Sequence, residues 1–281
     1  MDTDQLNAQR EIIEALGVTA QFDVAANALH RLAFIADALR RSGQHVLVLG
    51  ISGGVDSLTA GRLCQLAAEH LRSTGYDAQF IAMRLPYGAQ HDASDAEAAL
   101  AFIAPDQTLR VDIQPAVDEA MRSLLEADLA LGNAHAADFV AGNVRARQRM
   151  TIQYAVANAS QGLVIGTDHA AEAAMGFFTK HGDGACDIAP LTGLTKRRVR
   201  ALAAHLGAPT ALVHKTPTAD LETLRPLLPD EAALGVPYDI IDDFLEGQPI
   251  GRDDATRIIS TYRRTEHKRS GPRAPESTGK P

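Results

Sequence analysis

The stretch from His45 to Ser57 constrains the fold more than any other part of the chain. Val46-Leu47-Val48-Leu49 is a short apolar run of the kind that forms a strand buried on both faces of a parallel sheet. The run stops at Gly50 and turns through Ser52-Gly53-Gly54. Leu58, Leu63, Leu66, Ala67 and Leu71 then recur at roughly helical spacing. Strand, glycine-rich turn and helix in that order build an anion site, because the glycines allow a tight turn and the N–H groups and positive dipole end of the helix start point at an arriving oxyanion. Ser52 and Ser57 add hydroxyl donors. An ordinary glycine turn capped by Asp56 or Ser57 is the plainer alternative, and it leaves the agreement of strand, turn and helix unexplained.

The details say which anion. A Walker A loop carries a lysine before its Ser/Thr, and here Asp56 precedes Ser57; the dinucleotide fingerprint Gly-x-Gly-x-x-Gly is absent too. A carboxylate beside a phosphate cradle is repulsive unless a cation lies between them, so Asp56 implies Mg2+ bridging to phosphate oxygens. Ser52-Gly53-Gly54-Val55-Asp56-Ser57 resembles the pyrophosphate loop of the ATP pyrophosphatases, which cleave ATP to AMP and pyrophosphate.

At 281 residues the chain can bury a sizeable core, and its formal net charge of -8 argues against a general nucleic-acid surface. Two cysteines, Cys64 and Cys186, are too few for a disulfide framework, and no run approaches the ~18 apolar residues of a membrane span. No signal-peptide succession opens the chain, so a soluble cytoplasmic protein with no membrane contact is expected. No fixed-period repeat or long linker divides it. Residues 1–281 are therefore expected to form a single domain with a flexible tail from about residue 270.

Helices are expected over 4–16 and 23–42, the second capped by Asp23 and closed by Gly43. A second strand is expected over 78–85, and Arg84 and Gln90 stand at its carboxyl end, where ligands gather in open parallel sheets. A helix over 94–102, a strand over 109–113 and a helix over 115–131 read as scaffold. Asn143 is a candidate cap for a helix to Asn158, in which Arg145 and Arg149 share one face while Arg147 points elsewhere; three arginines this close call for anionic company. The fourth strand, Gly162 to Gly166, runs into Thr167-Asp168-His169-Ala170-Ala171-Glu172. Glu172 is a candidate second carboxylate for Mg2+ opposite Asp56. His169 has no second histidine at ligand spacing and is read as structural. Phe177 and Phe178, beside Lys180 and Asp187, suit a flat heteroaromatic substrate with a charged handle, or core packing. Thr195 is expected to cap a helix whose first turn holds Lys196, Arg197 and Arg198; cations there oppose the macrodipole, and a phosphate brought to that helix start would make Lys196 favourable. Residues 208–229 read as a mobile connection or a lid over the nucleotide.

Together these pieces resemble the ammonia-dependent NAD+ synthetases. The resemblance covers almost the whole chain: Gly50-Ile51-Ser52-Gly53-Gly54-Val55-Asp56-Ser57, Arg84 to Gly88, Gly142 to Arg147, Gly166 to Glu172, Gly176 to Lys180, Pro190 to Lys196, Pro217 to Leu221 and Glu266 to Arg269. It implies an α/β fold, a Rossmann-like open parallel sheet with helices on both faces, and a two-step reaction. The nicotinate carboxylate of deamido-NAD+ attacks the α-phosphorus of ATP, and ammonia then displaces AMP from the acyl adenylate. The resemblance implies that Gly50 to Ser57, Arg84, Gln90, Thr167, Lys196 and Thr218 hold ATP, that Asp56 and Glu172 hold Mg2+, and that Asp56 and Lys196 are catalytic. Arg147, Lys180, Asp187, His267 and Lys268 would face deamido-NAD+, some of them across a homodimer interface. No amidase segment stands ahead of the first helices, so free ammonia is the expected nitrogen donor. Two rivals share the loop: a tRNA-modifying ATP pyrophosphatase, and a non-catalytic nucleotide-binding module, which would not need Asp56 and Glu172 together.

Overall fold

The computed structural model describes residues 1–88, 93–218, 221–226 and 228–275. The chain opens with α1 (Thr3–Ala15) and α2 (Val24–Ser42), each started by an aspartate. Asp2 and Gln5 form a reciprocal capping box, the Asp23 carboxylate accepts from the Ala26 N–H at 2.7 Å, and Gly43 closes α2 in the left-handed region at φ 69°. There follow β1 (Val46–Gly50), α3 (Val55–Ser73), β2 (Gln79–Arg84), α4 (Ala93–Ile103), β3 (Gln107–Arg110), α5 (Gln114–Glu126), α6 (Ala134–Ser160) and β4 (Gly162–Val164). The remainder is helical: α7 (Ala170–Met175), α8 (Lys196–His205), α9 (Thr210–Val213), α10 (Asp230–Leu234), α11 (Tyr238–Leu245), α12 (Arg252–Arg264) and α13 (Glu266–Arg269).

The strands form one parallel sheet in the order β3-β2-β1-β4, with Leu47 paired to Phe80 on one side and to Leu163 on the other. Successive side chains point to opposite faces of a strand, and both faces here are covered. Leu47, Leu49, Phe80 and Ala82 pack into a core with α2, α3 and α8. Val46, Val48, Ile81 and Met83 pack on the other side with Val117 of α5 and Ala157 of α6. A third apolar cluster joins α1, α7, α11 and α12 through Ile12, Ala174, Phe244 and Ile258. The strand order reverses at β1, since the chain runs outward through β2 and β3 and returns on the far side at β4. A crevice therefore opens at the carboxyl ends of β1 and β4.

Beside small shifts at the ends of β3, α5 and β4, two helix starts depart from the sequence expectation in an instructive way. The helix expected to start at Asn143 begins instead at Ala134, capped by Asn133, whose side chain accepts from the Ala136 N–H at 3.0 Å. A Cβ at Gly142 would lie 2.9 Å from the Leu221 carbonyl oxygen, so the glycine serves a close approach inside the helix rather than a break. Thr195 does precede α8, but its side chain gives no cap. The α8 N–H groups of Lys196 and Arg197 instead donate to the buried Asp242 carboxylate at 2.9 and 2.7 Å. No described helix is long and apolar enough to cross a membrane.

Candidate active site

A cavity of about 420 Å3 opens at the carboxyl ends of β1 and β4, with Ser52, Asp56, Thr167, Glu172, Lys196 and Thr218 in its wall. Its floor is the turn after β1. Ser52 Oγ lies 3.1 Å from Ser57 Oγ and accepts from the Gly54 N–H at 3.3 Å, so the two hydroxyls brace the turn from inside. Gly53 has φ 87°, and a Cβ there would lie 2.8 Å from the Ala96 backbone nitrogen. No larger residue fits. The α3 helix begins at Val55 with no side-chain cap on its first N–H groups, which leaves its positive end available to an anion. From the opposite face of the sheet, Gln153 of α6 accepts from the Gly50 N–H at 2.7 Å and holds the end of β1 in place.

Above the turn, Asp56, His169, Glu172 and Tyr238 gather around one ammonium. Lys196 Nζ donates to Asp56 Oδ2 at 2.7 Å, and lies 3.9 Å from Glu172 Oε1 and 3.4 Å from His169 Nε2. Its other side faces the Tyr238 ring, 4.9 Å from the centroid. The Tyr238 hydroxyl donates to Asp230 Oδ2 at 3.2 Å. Lys196 is 1 % exposed. Burial holds His169 far down, to about 3, with the Lys196 charge adding to the shift, so the ring is neutral. A lysine ammonium has no acceptor, so His169 Nε2 must be the acceptor of that pair and the ring proton resides on Nδ1. Burial alone would raise the Asp56 carboxyl, but the Lys196 ammonium beside it holds it below the usual range. Burial and the neighbouring Asp56 push Glu172 well above it. Of the two carboxylates, Asp56 thus carries the charge that pairs with Lys196. Burial, with Asp183 and Asp56 nearby, also pushes Asp168 up to about 8.

The site residues expected from the sequence fall into two groups. Gly50, Ile51, Ser52, Gly54, Val55, Asp56, Ser57, Thr167, Glu172, Lys196, Thr218 and Lys268 line the cavity. Gly53 packs beneath it. Arg84 ends β2 and is half-buried outside the lining, and Gln90 lies outside the described residues. The residues expected to face deamido-NAD+ are mostly at or beyond the rim. Arg147 is exposed and donates to the Lys180 carbonyl at 3.3 Å, while Asp187 is exposed and accepts from the Val164 N–H at 2.7 Å. His267 is exposed on α13, whereas its neighbour Lys268 reaches in and donates to the Gly176 and Phe178 carbonyls at 2.8 Å each. The arginines of α6 donate to backbone carbonyls, and the Arg149 charge also acts on the Asp183 carboxyl. Arg145, buried, donates to the Leu221 carbonyl at 2.6 Å and lies over the Tyr87 ring, and Arg149 donates to the Leu85 carbonyl at 3.0 Å.

The cavity-wall residues Gln153, Asp230 and Asp168 were given no role in the sequence reading, nor was Tyr238, whose ring packs against Lys196. Gln153 had a usable signal, since it continues the face of Gly142, Arg145 and Arg149 at helical spacing. Tyr238 and Asp230 had none, because their relation to Lys196 exists only in the folded chain.

Residues 28–272 match the family model for NAD synthase. The chain belongs to the NAD synthase family. It is 60% identical over 267 residues to the NH(3)-dependent NAD(+) synthetase of Streptomyces coelicolor, an alignment that spans 95% of this chain and 97% of that one. A crystal structure of NAD+ synthetase from Burkholderia pseudomallei matches with a TM-score of 0.84 at 55% identity, covering 97% of this chain and 99% of that one. NMN synthetase from Francisella tularensis, at 32% identity and a TM-score of 0.78, matches over 92% of this chain and 100% of its own. The parallel sheet described above is thus a feature of a ligase family.

Proposed function

We infer that this chain catalyses the ATP-dependent amidation of deamido-NAD+ with ammonia, giving NAD+, AMP and pyrophosphate. The observation that carries the reading is the convergence of Asp56, Glu172 and Lys196 directly above an uncapped helix start. The nicotinate carboxylate oxygen bonds to the α-phosphorus as the bond to pyrophosphate breaks; ammonia then bonds to the acyl carbon, AMP leaves, and the surplus proton passes to solvent. Both steps need negative charge spread over phosphate oxygens, which is the task of N–H groups, hydroxyls and cations held in place beforehand.

Asp56 and Glu172 would hold Mg2+. The residues suit it, since Asp56 Oδ1 is buried without a hydrogen-bond partner among the described residues, and one ligand atom each from Asp56, Glu172 and His169 lies within 4.8 Å of the others. When bound, the ion would supply Lewis-acid neutralisation of the phosphate charge. The turn N–H groups, Ser52 and Ser57 receive the departing pyrophosphate, and Lys196 adds a full charge there. Arg84, Gln90, Thr167 and Thr218 are assigned to the rest of ATP. Arg147, Lys180, Asp187, His267 and Lys268 are assigned to deamido-NAD+. The exposure of Arg147, Asp187 and His267 supports a second copy of the chain completing that part of the site, as a homodimer.

The test is incubation with ATP, Mg2+ and ammonium, offering deamido-NAD+ in one arm and nicotinate mononucleotide in another. NAD+ and AMP in equal amounts from the first arm is the expected result. Amidation of the mononucleotide alone would reassign the chain to NMN synthesis, and ADP in place of AMP would overturn the mechanism.

A further inference from the structure

Lys196 Nζ lies where a cation shared by Asp56, His169 and Glu172 would lie. Its distances to the three ligand atoms are 2.7, 3.4 and 3.9 Å, and those residues form the group of potential metal ligands whose atoms lie within 4.8 Å of one another. The Tyr238 ring closes the remaining side. A monovalent ammonium and a divalent ion cannot share this position, because two cations at such separation inside a buried site repel strongly. We propose that Lys196 is the resident counter-ion of the metal site, occupying the cation position in the ligand-free protein and leaving Asp56 for the phosphates when the divalent ion and ATP enter together. The proposal rests on the assignment of Asp56 and Glu172 as metal ligands made above.

Three features of the fold make the exchange feasible. Buried carboxylates without a counter-ion are costly, so the lysine lets the site fold before any metal arrives. Its helix can stay where it is, because the α8 N–H groups of Lys196 and Arg197 are already satisfied by Asp242 and Arg197 is tied to Asp243 at 2.7 Å. Only the lysine stem needs to rotate, and its four-carbon chain lets the ammonium move from Asp56 toward phosphate oxygens lodged over the turn. Phosphate oxygens lodged over the turn would give a departing Lys196 a new anionic partner in place of Asp56. Metal and nucleotide therefore reinforce one another's binding.

The experiment is titration of the full-length protein with Mn2+ alone, reading free Mn2+ by electron paramagnetic resonance, in wild type and in Lys196→Met. Removing the competing ammonium should tighten Mn2+ binding by roughly tenfold or more, since a buried charge pair is broken in the wild type and not in the variant. A variant that keeps its circular dichroism spectrum and binds Mn2+ no more tightly than wild type overturns the proposal. Should Lys196→Met not fold, a crystal structure of the wild-type chain with Mg2+ and a non-hydrolysable ATP analogue decides: Lys196 Nζ beyond hydrogen-bond reach of Asp56 Oδ2 is expected, and retention of that bond overturns the exchange. In that crystal, a metal bound away from Asp56 and Glu172 would overturn the ligand assignment itself, which is a different failure from a metal at those residues with Lys196 still on Asp56.

Discussion

Two helix starts face the same cavity and are finished in opposite ways. The α3 start has an acid, Asp56, in its first turn and no side-chain cap, whereas the α8 start has three cations in its first turn and a buried carboxylate, Asp242, across its N–H groups. The first leaves its positive end open to an anion that comes from outside the chain. The second has its anion built in: Asp242 takes the first α8 N–H groups, and the Lys196 side chain leaves the helix for Asp56. An open start serves a ligand, and a closed one holds a side chain still.

The largest test of this contrast is at the open start. Asp56→Asn should keep the fold and lower the rate of NAD+ formation by ~10³-fold or more, because it removes the charge that balances both Lys196 and a bound cation; activity within a few-fold of wild type would sever Asp56 from catalysis. At the closed start the effect is on stability. Asp242→Ala leaves the Lys196 and Arg197 N–H groups of α8 without their acceptor, and a loss of about 2–3 kcal/mol in urea unfolding is expected.

Acidity sharpens the same comparison. Burial, the largest influence on Asp242, pushes its carboxyl up to about 6 against the donated N–H groups. A folded-state value above the unfolded one means that the native protein binds this proton more tightly. The stability contributed is present in full below about pH 4 and is lost as pH rises through about 6. Asp242→Asn should therefore flatten the fall in unfolding free energy across that window, and an unchanged slope would place the titration elsewhere. The smallest effect expected is at Gln153→Ala, which removes the acceptor of the Gly50 N–H; about 1 kcal/mol of stability and a raised KM for ATP with kcat nearly kept would show that α6 positions the turn without joining the chemistry.

Much of this was legible along the chain because it rests on local rules. Val46 to Leu49 is apolar at every position, as a strand covered on both faces requires, and the caps Asp23 and Gly43 act within their own helix. Asp56 stood out through its place beside a glycine turn, and it does sit in the cavity wall. What misled was any residue whose local meaning is ambiguous: Asn143 looked like the cap of α6, which Asn133 caps instead, and Thr195 looked like the cap of α8 while its hydroxyl donates to Glu246 at 2.8 Å.

The sequence by itself determined the strand, the turn and the open helix start of the phosphate cradle, together with the family to which they belong, since backbone geometry and hydrophobic period act over a few residues. Only the tertiary structure decided where Lys196 would rest. Its helix is capped by Asp242 of α11, its ammonium is held by Asp56 of α3, and its outer side is covered by Tyr238, partners from separate elements brought together by burial of the apolar clusters around them. Charge pairing at such separations along the chain has no local pattern, because it is set by which faces of distant helices are buried against one another.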